Sequence, residues 1–499
     1  MKKKAFLNIG CSLAAQFVTI ISGLVIPRLL LMSFGSEANG LVSSITQFLN
    51  YIALVEGGIG SVVLSSLYGP LASDNNVKVS RVLKASNKFF HQIAWIFAVY
   101  AIILGCVYPF LVKTDYSWIF IVSLTLILAV GSFVQYCFSI TYKLLLQADQ
   151  KMYIVQIVQI GISLANLLAV YIAIRLYPEL HVVKIASALL FIAQPIIYST
   201  YVKRHYHIDK DADPDETALS QRWSCFGQNF AYFIHSNTDV VVLTFFTNLK
   251  LVSVYNVYFL IIGHIQSLFK SFSHAFSPMI GKAIAINDEN ASNHYLDLYE
   301  IVISFISTIV FGCTIYLLPD FIMLYTHGVA DVNYFRPLFS TIIILAEYIY
   351  CIRDPYVAVI YAAGKFKETA YSAYLEAGIN IVLSVILVKE YGLEGIAVGT
   401  LIGMAYRMFY MVWYISKNII YRPVIKAFKR MAISCISIIL SLFIMHLVDT
   451  TGSDSVVLWI KNGFLCVVVF GLITTLVNYC FDRQLFLVLL ESIKRRRKA

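Results

Sequence analysis

Long apolar stretches separated by short polar turns run along the whole chain. Each stretch is long enough for an α-helix to cross a bilayer, which takes roughly 20 apolar residues for about 30 Å of hydrocarbon. Runs such as 119–128 and 467–476 do not alternate apolar and polar residues, so helices are favoured over the strands of a membrane barrel. The pattern predicts an all-α integral membrane protein with about fourteen transmembrane helices, at residues 5–32, 39–70, 88–112, 116–145, 153–177, 181–202, 223–248, 251–282, 295–319, 334–362, 369–390, 393–416, 430–449 and 456–480.

Lysine and arginine are concentrated in alternate turns between these spans. Cationic residues accumulate on the cytoplasmic side of membrane proteins, so both termini are predicted to be cytoplasmic. The net charge of +10 is mostly this bias, and it gives no reason to expect a nucleic-acid partner. The basic C-terminal tail is expected to contact anionic membrane lipids. The predicted cytoplasmic cations include Lys2, Lys3, Lys4, Lys78, Arg81, Lys143, Lys151, Lys203, Arg204, Lys282, Lys365, Lys417, Arg422, Arg430 and residues 494–498, and the exceptions are Lys113, Lys250 and Lys389.

The composition supports a membrane protein and argues against several soluble classes. Hydrophobic residues make up 59% of the chain and charged residues 13%, against about 25% charged residues in a soluble protein. No cleavable signal peptide is evident, and no glycine-rich phosphate loop precedes a Lys-Ser or Lys-Thr pair. The nine cysteines have no metal-ligand spacing and are interpreted as small apolar packing residues.

The hydrophilic stretch at 203–222 is predicted to be a cytoplasmic linker between two blocks of six helices. The predicted organisation is an N-terminal lobe at 1–202, a C-terminal lobe at 223–417, and two further helices with a basic tail at 418–499. A weak sequence similarity between the segments beginning at 147 and at 362, offset by about 215 residues, favours two related halves of the same orientation. Chance similarity between apolar helices is the alternative.

Charged residues within the predicted spans are the candidates for function. An ionisable side chain at the bilayer centre costs at least about 2.5–3.5 kcal/mol, so it normally faces a wet cavity or another charged group. Cations in a low-dielectric cavity bind phosphate strongly, which suits an anionic headgroup entering from the cytoplasm. The predicted substrate-binding residues are Arg28, Glu56, Lys270, Arg353 and Arg407.

Four of these five residues also have a structural interpretation. Arg28 and Arg407 lie near the ends of their spans, where a long cationic side chain reaches the membrane surface. Glu56 is followed by glycines that allow close helix packing, so it can be buried in its neutral form. Arg353 is followed at once by Asp354, and the two charges would neutralise each other.

Two further acidic residues fall in the predicted spans of the second half. Asp239 stands in an otherwise apolar context of valines and leucine, and it must be neutralised, paired or hydrated there. Glu376 lies four residues before Asn380, so both side chains are on one face of their helix.

Four sets of short motifs are distributed over the chain. They are VEGGIG at 55–60, LLQAD at 145–149, NTD at 237–239 with VYN at 254–256, and AAGK at 362–365 with YGLEG at 391–395 and GTL at 399–401. With these motifs the chain resembles the multidrug/oligosaccharidyl-lipid/polysaccharide (MOP) exporter superfamily, and within it the Wzx-type flippases of bacterial polysaccharide biosynthesis. The resemblance covers essentially the whole chain as organisation.

The resemblance implies two six-helix lobes around a central cavity and two extra helices. It implies that undecaprenyl-pyrophosphate-linked oligosaccharide moves from the inner to the outer leaflet of the bacterial cytoplasmic membrane by alternating access. The product would supply O-antigen, capsule or exopolysaccharide synthesis, with a polysaccharide polymerase as a further partner. The chain would then be a transporter and not an enzyme, without a cofactor.

The resemblance also implies a coupling-ion site and a pair of cavity cations. Some relatives place a sodium site on the helices that here carry Asp239, Asn380 and Thr400, with Glu376 nearby. The coupling ion is either Na⁺ or H⁺, and the resemblance leaves both as alternatives. Relatives that flip cell-wall precursors have cavity arginines where this chain has Arg28 and Lys270. The lysine is a departure, because it offers a point charge instead of a bidentate fork.

Two other functions compete with the flippase hypothesis. A drug/cation antiporter of the same architecture would use the acidic residues Asp239 and Glu56, but the cations Lys270, Arg353 and Arg407 argue against cationic substrates. A membrane enzyme such as a glycosyltransferase would need carboxylates or histidines on a sizeable surface loop. The longest predicted outer turn, at about 319–336, is short for that role.

Overall fold

The computed structural model of the chain describes residues 2–56, 59–209, 212–215, 237–286, 288–448 and 455–483. Within these ranges the regular secondary structure is helical. The chain divides into two compact units, Met1–Ser253 and Val254–Ala499. The helices are α1 Lys2–Leu49, α2 Ala53–Glu56, α3 Ile59–Ala72, α4 Asn76–Leu111, α5 Trp118–Phe138, α6 Ile140–Ala148, α7 Met152–Leu176, α8 Leu180–His205, α9 Asn237–Phe246, α10 Leu249–Ala285, α11 Glu289–Tyr325, α12 Pro337–Ile352, α13 Asp354–Ala362, α14 Phe366–Tyr391, α15 Leu393–Asn418, α16 Ile425–Leu447 and α17 Val456–Phe481.

The predicted all-α membrane fold is confirmed. Eleven helices among the described residues are long and apolar enough to cross a membrane, and the protein is a multi-pass membrane protein. Where the structure describes them, the predicted spans fall mostly on helices. The span at 39–70 is divided among the end of α1, α2 and α3, that at 116–145 between α5 and α6, and that at 334–362 between α12 and α13. The lobe boundaries remain predictions, and part of the predicted linker lies outside the described residues.

A non-helical glycine divides the long first helix. Gly35 has φ 80° and ψ 178°, a conformation that essentially only glycine adopts. Residues before and after it therefore form two helices that meet at an angle instead of one continuous rod. The turn lies between the predicted spans at 5–32 and 39–70, where the chain must reverse direction.

In the first unit, α9 and the start of α10 pack against the second half of α1 through buried polar contacts. Asn39 Nδ2 donates to Ser253 Oγ at 2.8 Å, and the hydroxyls of Ser44 and Thr244 lie 2.7 Å apart. All four side chains are buried. Polar groups of this kind hold helices together inside a membrane, where lipid gives no hydrophobic driving force for association.

In the second unit, α16 and α17 pack on α11. Cys313 of α11 and Cys466 and Phe470 of α17 form a buried apolar cluster with Met445 of α16. The indole of Trp459 donates to the Leu317 carbonyl at 3.0 Å. The two C-terminal helices are thus part of the second compact unit.

The break between α12 and α13 occurs where Pro355 predicts it. A proline in the first turn of α13 cannot donate a helical hydrogen bond to the preceding turn, so α12 ends at Ile352. Arg353 lies in the junction with φ −81° and ψ −12°. This junction brings a charged side chain into the interior of the second unit.

Candidate functional site

The site is built on the close packing of α14 and α15. Gly395, Gly399 and Gly403 are four residues apart and form one stripe of α15 that faces α14. A Cβ atom added at Gly399 would lie 2.6 Å from Ser384 Oγ and 2.9 Å from its backbone nitrogen. Small residues at this spacing allow two helix backbones to approach each other closely. Arg407 is the next residue of the same stripe, so it too is directed at α14.

Arg407 meets a buried carboxylate on α14, and a second arginine binds the same group. Glu376 is 0% exposed; its Oε2 accepts from Arg407 Nη1 and its Oε1 from Arg353 Nη1, both at 2.5 Å. The Arg353 guanidinium also lies 4.7 Å from the ring centre of Tyr350. We call Arg353, Glu376 and Arg407 the arginine–glutamate cluster. Its two guanidinium groups share one carboxylate, which leaves one positive charge in excess within this hydrogen-bonded group.

The two arginines differ in how much solvent or ligand reaches them. The side chain of Arg353 is 5% exposed, and that of Arg407 is 18% exposed. Among the described residues, the buried Nε of Arg407 has no hydrogen-bond partner. Arg407 is therefore the member of the cluster that is best placed to bind a further anion. Its guanidinium is directed at Glu376 in the interior of the second unit, and its depth in the bilayer stays a prediction.

A second polar group lies one helical turn from Glu376. Asn380 Nδ2 donates to Thr400 Oγ1 at 2.8 Å, and this hydroxyl donates to the Ile396 carbonyl at 3.0 Å. Asn380, Thr400 and Ser384 are all buried. In the described part of the chain, Asn380 Oδ1 and Ser384 Oγ have no hydrogen-bond partner. These oxygen atoms are hard ligands of the type that bind alkali cations.

Two contacts beside the cluster were not foreseen from the sequence. The Tyr299 hydroxyl donates to Asp354 at 2.5 Å, and Gln266 donates to the buried Glu347. The sequence suggested that Arg353 and Asp354 neutralise each other, whereas here Arg353 binds Glu376 and Asp354 accepts from Tyr299. Glu347 and Asp354 each carried a signal, as carboxylates inside the predicted span at 334–362.

A second charged network, which the sequence also did not reveal, lies where α11 meets the turn between α15 and α16. Glu300 accepts from Arg422 at 2.9 Å and from Arg430 at 3.1 Å, and Asp297 lies 3.3 Å from Arg422. Burial of Arg422 opposes its charge, but Glu300 and Asp297 outweigh this and raise the pKa of the guanidinium. The signal in the sequence was two acids three residues apart on α11, facing cations of the predicted cytoplasmic side.

The remaining candidates lie in the first unit or outside the described side chains. Glu56 is half-buried at the end of α2 and accepts from the Tyr136 hydroxyl at 3.2 Å. Asp239 is buried in α9, and Arg28 is exposed on the first half of α1. Lys270 lies in α10, but its side chain is outside the described residues.

The fold has clear counterparts among solved structures. "Lipid II flippase MurJ, inward closed conformation" superposes with a TM-score of 0.72 at 17% identity, over 96% of this chain and 99% of that one. An inward-facing MATE family multidrug transporter of the MOP superfamily gives 0.62 at 14% identity, covering 79% and 93%. The MATE multidrug transporter DinF-BH gives 0.60 at 14% identity, covering 84% and 97%.

These similarities establish the fold. The chain has the helical architecture that MurJ and the MATE transporters share. No protein-family model matches the chain, and no curated protein sequence matches it. At 17% identity or less, these superpositions show a shared fold and do not assign a transported substrate to this chain.

Proposed function

We propose that this protein is a flippase that moves a polyprenyl-pyrophosphate-linked oligosaccharide from the inner to the outer leaflet by alternating access. The observation that carries the proposal is the arginine–glutamate cluster: two arginines held inside a membrane protein around one carboxylate. Buried cations of this kind are expensive and are usually functional. The likeness of the fold to a protein described as a lipid II flippase supports the same substrate class.

The proposed anion site is Arg407 with Arg353 behind it. Guanidinium groups form paired hydrogen bonds with phosphate oxygens, and these bonds strengthen in a low-dielectric interior. Glu376 keeps the two like charges 2.5 Å from a shared counter-ion while no substrate is bound. A pyrophosphate would then bind Arg407 through donors that Glu376 does not use. Arg28, Glu56 and Lys270 stay as further candidates for contacts with the substrate.

The proposed coupling ion is Na⁺ at Asn380 and Thr400, with H⁺ at Glu376 as the alternative. Asp239 of the first unit stays a separate candidate residue for ion coupling. An ion drives transport only if it binds one state of the transporter more tightly than the other. Since Glu376 lies one turn from Asn380, a cation bound at Asn380 would weaken the ion pairs of the Glu376 carboxylate with Arg353 and Arg407. Replacing Na⁺ by choline in a translocation assay at constant pH separates the two ions.

The decisive experiment is complementation of a flippase-deficient strain with Arg407 variants at matched membrane levels. Arg407→Ala is expected to abolish surface polysaccharide, and Arg407→Lys to restore part of it, because the charge returns without the guanidinium fork. Lys417→Ala is the matched control, since Lys417 is exposed on the same helix. Full polysaccharide from Arg407→Ala would contradict the proposal.

A drug/cation antiporter is the second candidate. It is favoured by the half-buried carboxylate of Glu56 and by the similarity of the fold to two MATE transporters. An antiporter would raise the resistance of an overexpressing strain to cationic drugs, and Glu56→Gln would remove that resistance. A flippase would leave drug susceptibility unchanged.

A further inference from the structure

A cavity of about 560 Å³ in the first unit is separate from every residue considered above as a site candidate. It lies between α4, the end of α5, the start of α6 and the second half of α8. The volume is within the range of about 300–1,000 Å³ that is typical of small-molecule sites. Its walls are formed by Asn87, His91, Val134, Cys137, Phe138, Tyr142, Ile192, Pro195, Ile196, Ser199, Thr200 and Lys203.

The lining of the cavity is polar at one end and apolar at the other. Along α8 the lining changes from Ile192 at the apolar end to Ser199 and Lys203 at the polar end. Asn87 and His91 line the cavity from α4, and the His91 ring centre lies 5.9 Å from that of Phe138. All the α8 residues that line the cavity share one helix face, because they follow the i, i+3, i+4, i+7, i+8, i+11 spacing of a helix stripe. The cavity therefore has the polarity of an amphiphile with a polar head and an apolar tail.

The length of the cavity matches a single leaflet. From Ile192 to Lys203, α8 rises by about 16 Å, which is half of a hydrocarbon core of about 30 Å. Lys203 is in the last turn of α8, on the side that the charge pattern predicts to be cytoplasmic. The polar end is thus at the level of the inner headgroups, and Ile192 is near the middle of the bilayer.

The cavity opens towards the lipid. Phe138 and Ile196 line it and are 54% and 61% exposed, as expected for side chains that contact acyl chains. Pro195 lies in the same wall and cannot donate a helical hydrogen bond, which weakens α8 at this level. A membrane lipid can therefore enter sideways, without passing through the protein.

The charge at the polar end selects an anion. None of the described residues that line the cavity is acidic, and within the described residues Lys203 forms no ion pair. His91 Nδ1 is 2.8 Å from the Asn87 carbonyl, which orients the imidazole at the cavity wall. A lysine, an imidazole and an amide together suit a phosphodiester headgroup.

We propose that this cavity, the α4–α8 groove, binds an anionic phospholipid of the cytoplasmic leaflet. The phosphate binds Lys203 and His91, and one acyl chain lies along Ile196 towards Ile192. The lipid is a resident ligand and not the transported substrate, so the proposal is independent of the flippase function. The chemistry of recognition is a phosphodiester joined to an apolar chain no longer than one leaflet.

The test is a titration of the purified full-length protein in detergent micelles with phosphatidylglycerol, with thermal unfolding as the readout. A ligand that binds the folded state raises Tm. Phosphatidylcholine with the same acyl chains tests the headgroup charge, and glycerol 3-phosphate tests whether a free anion suffices. Phosphatidylglycerol alone is expected to raise Tm with saturation.

Lys203→Ala is expected to raise the half-saturating amount of phosphatidylglycerol about fivefold, the effect of one cation near a membrane surface. Arg204→Ala is the matched control, because Arg204 is the adjacent exposed cation and does not line the groove. Ser199→Trp would fill the groove and is expected to remove the response, while Tm without lipid shows that the variant is folded.

Three results would overturn the proposal. An equal response to phosphatidylcholine, or to glycerol 3-phosphate, would show that the anionic lipid is not recognised as a whole. An equal loss in the Lys203 and Arg204 variants would reduce the effect to general surface charge. A normal response of folded Ser199→Trp would place the acyl chain elsewhere.

Discussion

At the scale of single residues, Glu376 decides whether two arginines can remain inside the second unit. Taking one charged partner from a buried ion pair leaves the other charge without compensation, which costs far more than the pair itself contributes. Glu376 has this role towards both Arg353 and Arg407, each 2.5 Å from one of its oxygens. The stability of the unit therefore depends on its negative charge.

Glu376→Gln is expected to lower Tm strongly, because it leaves two buried guanidinium groups with a neutral partner. The loss for a buried pair is about 3–5 kcal/mol. Differential scanning fluorimetry of the detergent-solubilised protein measures it. Glu368→Gln is the control on the same helix: Glu368 is exposed and pairs with exposed Lys365 at 3.1 Å, so little change is expected there. Equal Tm values for the two variants would disprove the structural role of Glu376.

The members of the cluster could be predicted from the sequence, but their pairing could not. Charges within apolar spans single out Arg353, Glu376 and Arg407 without any structure. Their contacts depend on the rotation of three helices, which hydropathy does not determine. Arg353 and Asp354 are adjacent in sequence and invite pairing, yet neighbouring residues on a helix do not face each other. The four-residue spacing from Gly395 to Arg407 is the sequence feature that indicates one of the two contacts, that of Arg407 with α14.

At the scale of elements, the pair α14–α15 shows how small residues place charged ones. The glycines of α15 bring its backbone close to α14, and Arg407 continues their stripe. Span positions were predictable because apolar runs of this length have few alternatives. The break at Pro355 was predictable for the same local reason. The turn at Gly35 falls between the predicted spans at 5–32 and 39–70, so its position was predictable as well.

Gly399→Ala is expected to separate α14 from α15 and to lower both Tm and transport. The new Cβ would lie 2.9 Å from the backbone nitrogen of Ser384, which cannot move without shifting the helix. Gly378→Ala on α14 is the control, since a Cβ there meets nothing within 4 Å and alanine favours the helix. Thermal unfolding and complementation of the two variants test this. A Tm for Gly399→Ala as high as that of the control would show that close packing is not needed.

At the scale of the whole molecule, the distribution of cations predicts the direction in which the chain crosses the membrane. Orientation follows from lysines and arginines in short loops, because these resist translocation. The turn between α3 and α4 precedes a cationic stretch and is predicted to be cytoplasmic. The turn between α7 and α8 is predicted to face outwards. Both turns expose acidic residues, Asp74 and Glu179, that can be replaced without disturbing a described core.

Cysteine labelling of intact cells tests this orientation, in a background with the nine native cysteines replaced. A membrane-impermeant maleimide is expected to label Glu179→Cys in intact cells and Asp74→Cys only after lysis.

The orientation matters for the proposed function, because it decides from which side of the membrane the substrate reaches the arginine–glutamate cluster. Arg407 is about 16 Å along α15 from its end at Asn418, so a cytoplasmic Asn418 places the cluster within reach of inner-leaflet headgroups. Labelling of Asp74→Cys in intact cells would show that the orientation is the reverse of the predicted one. The cluster would then face substrate from the outer leaflet, and the protein would carry lipid-linked glycan inwards or none at all.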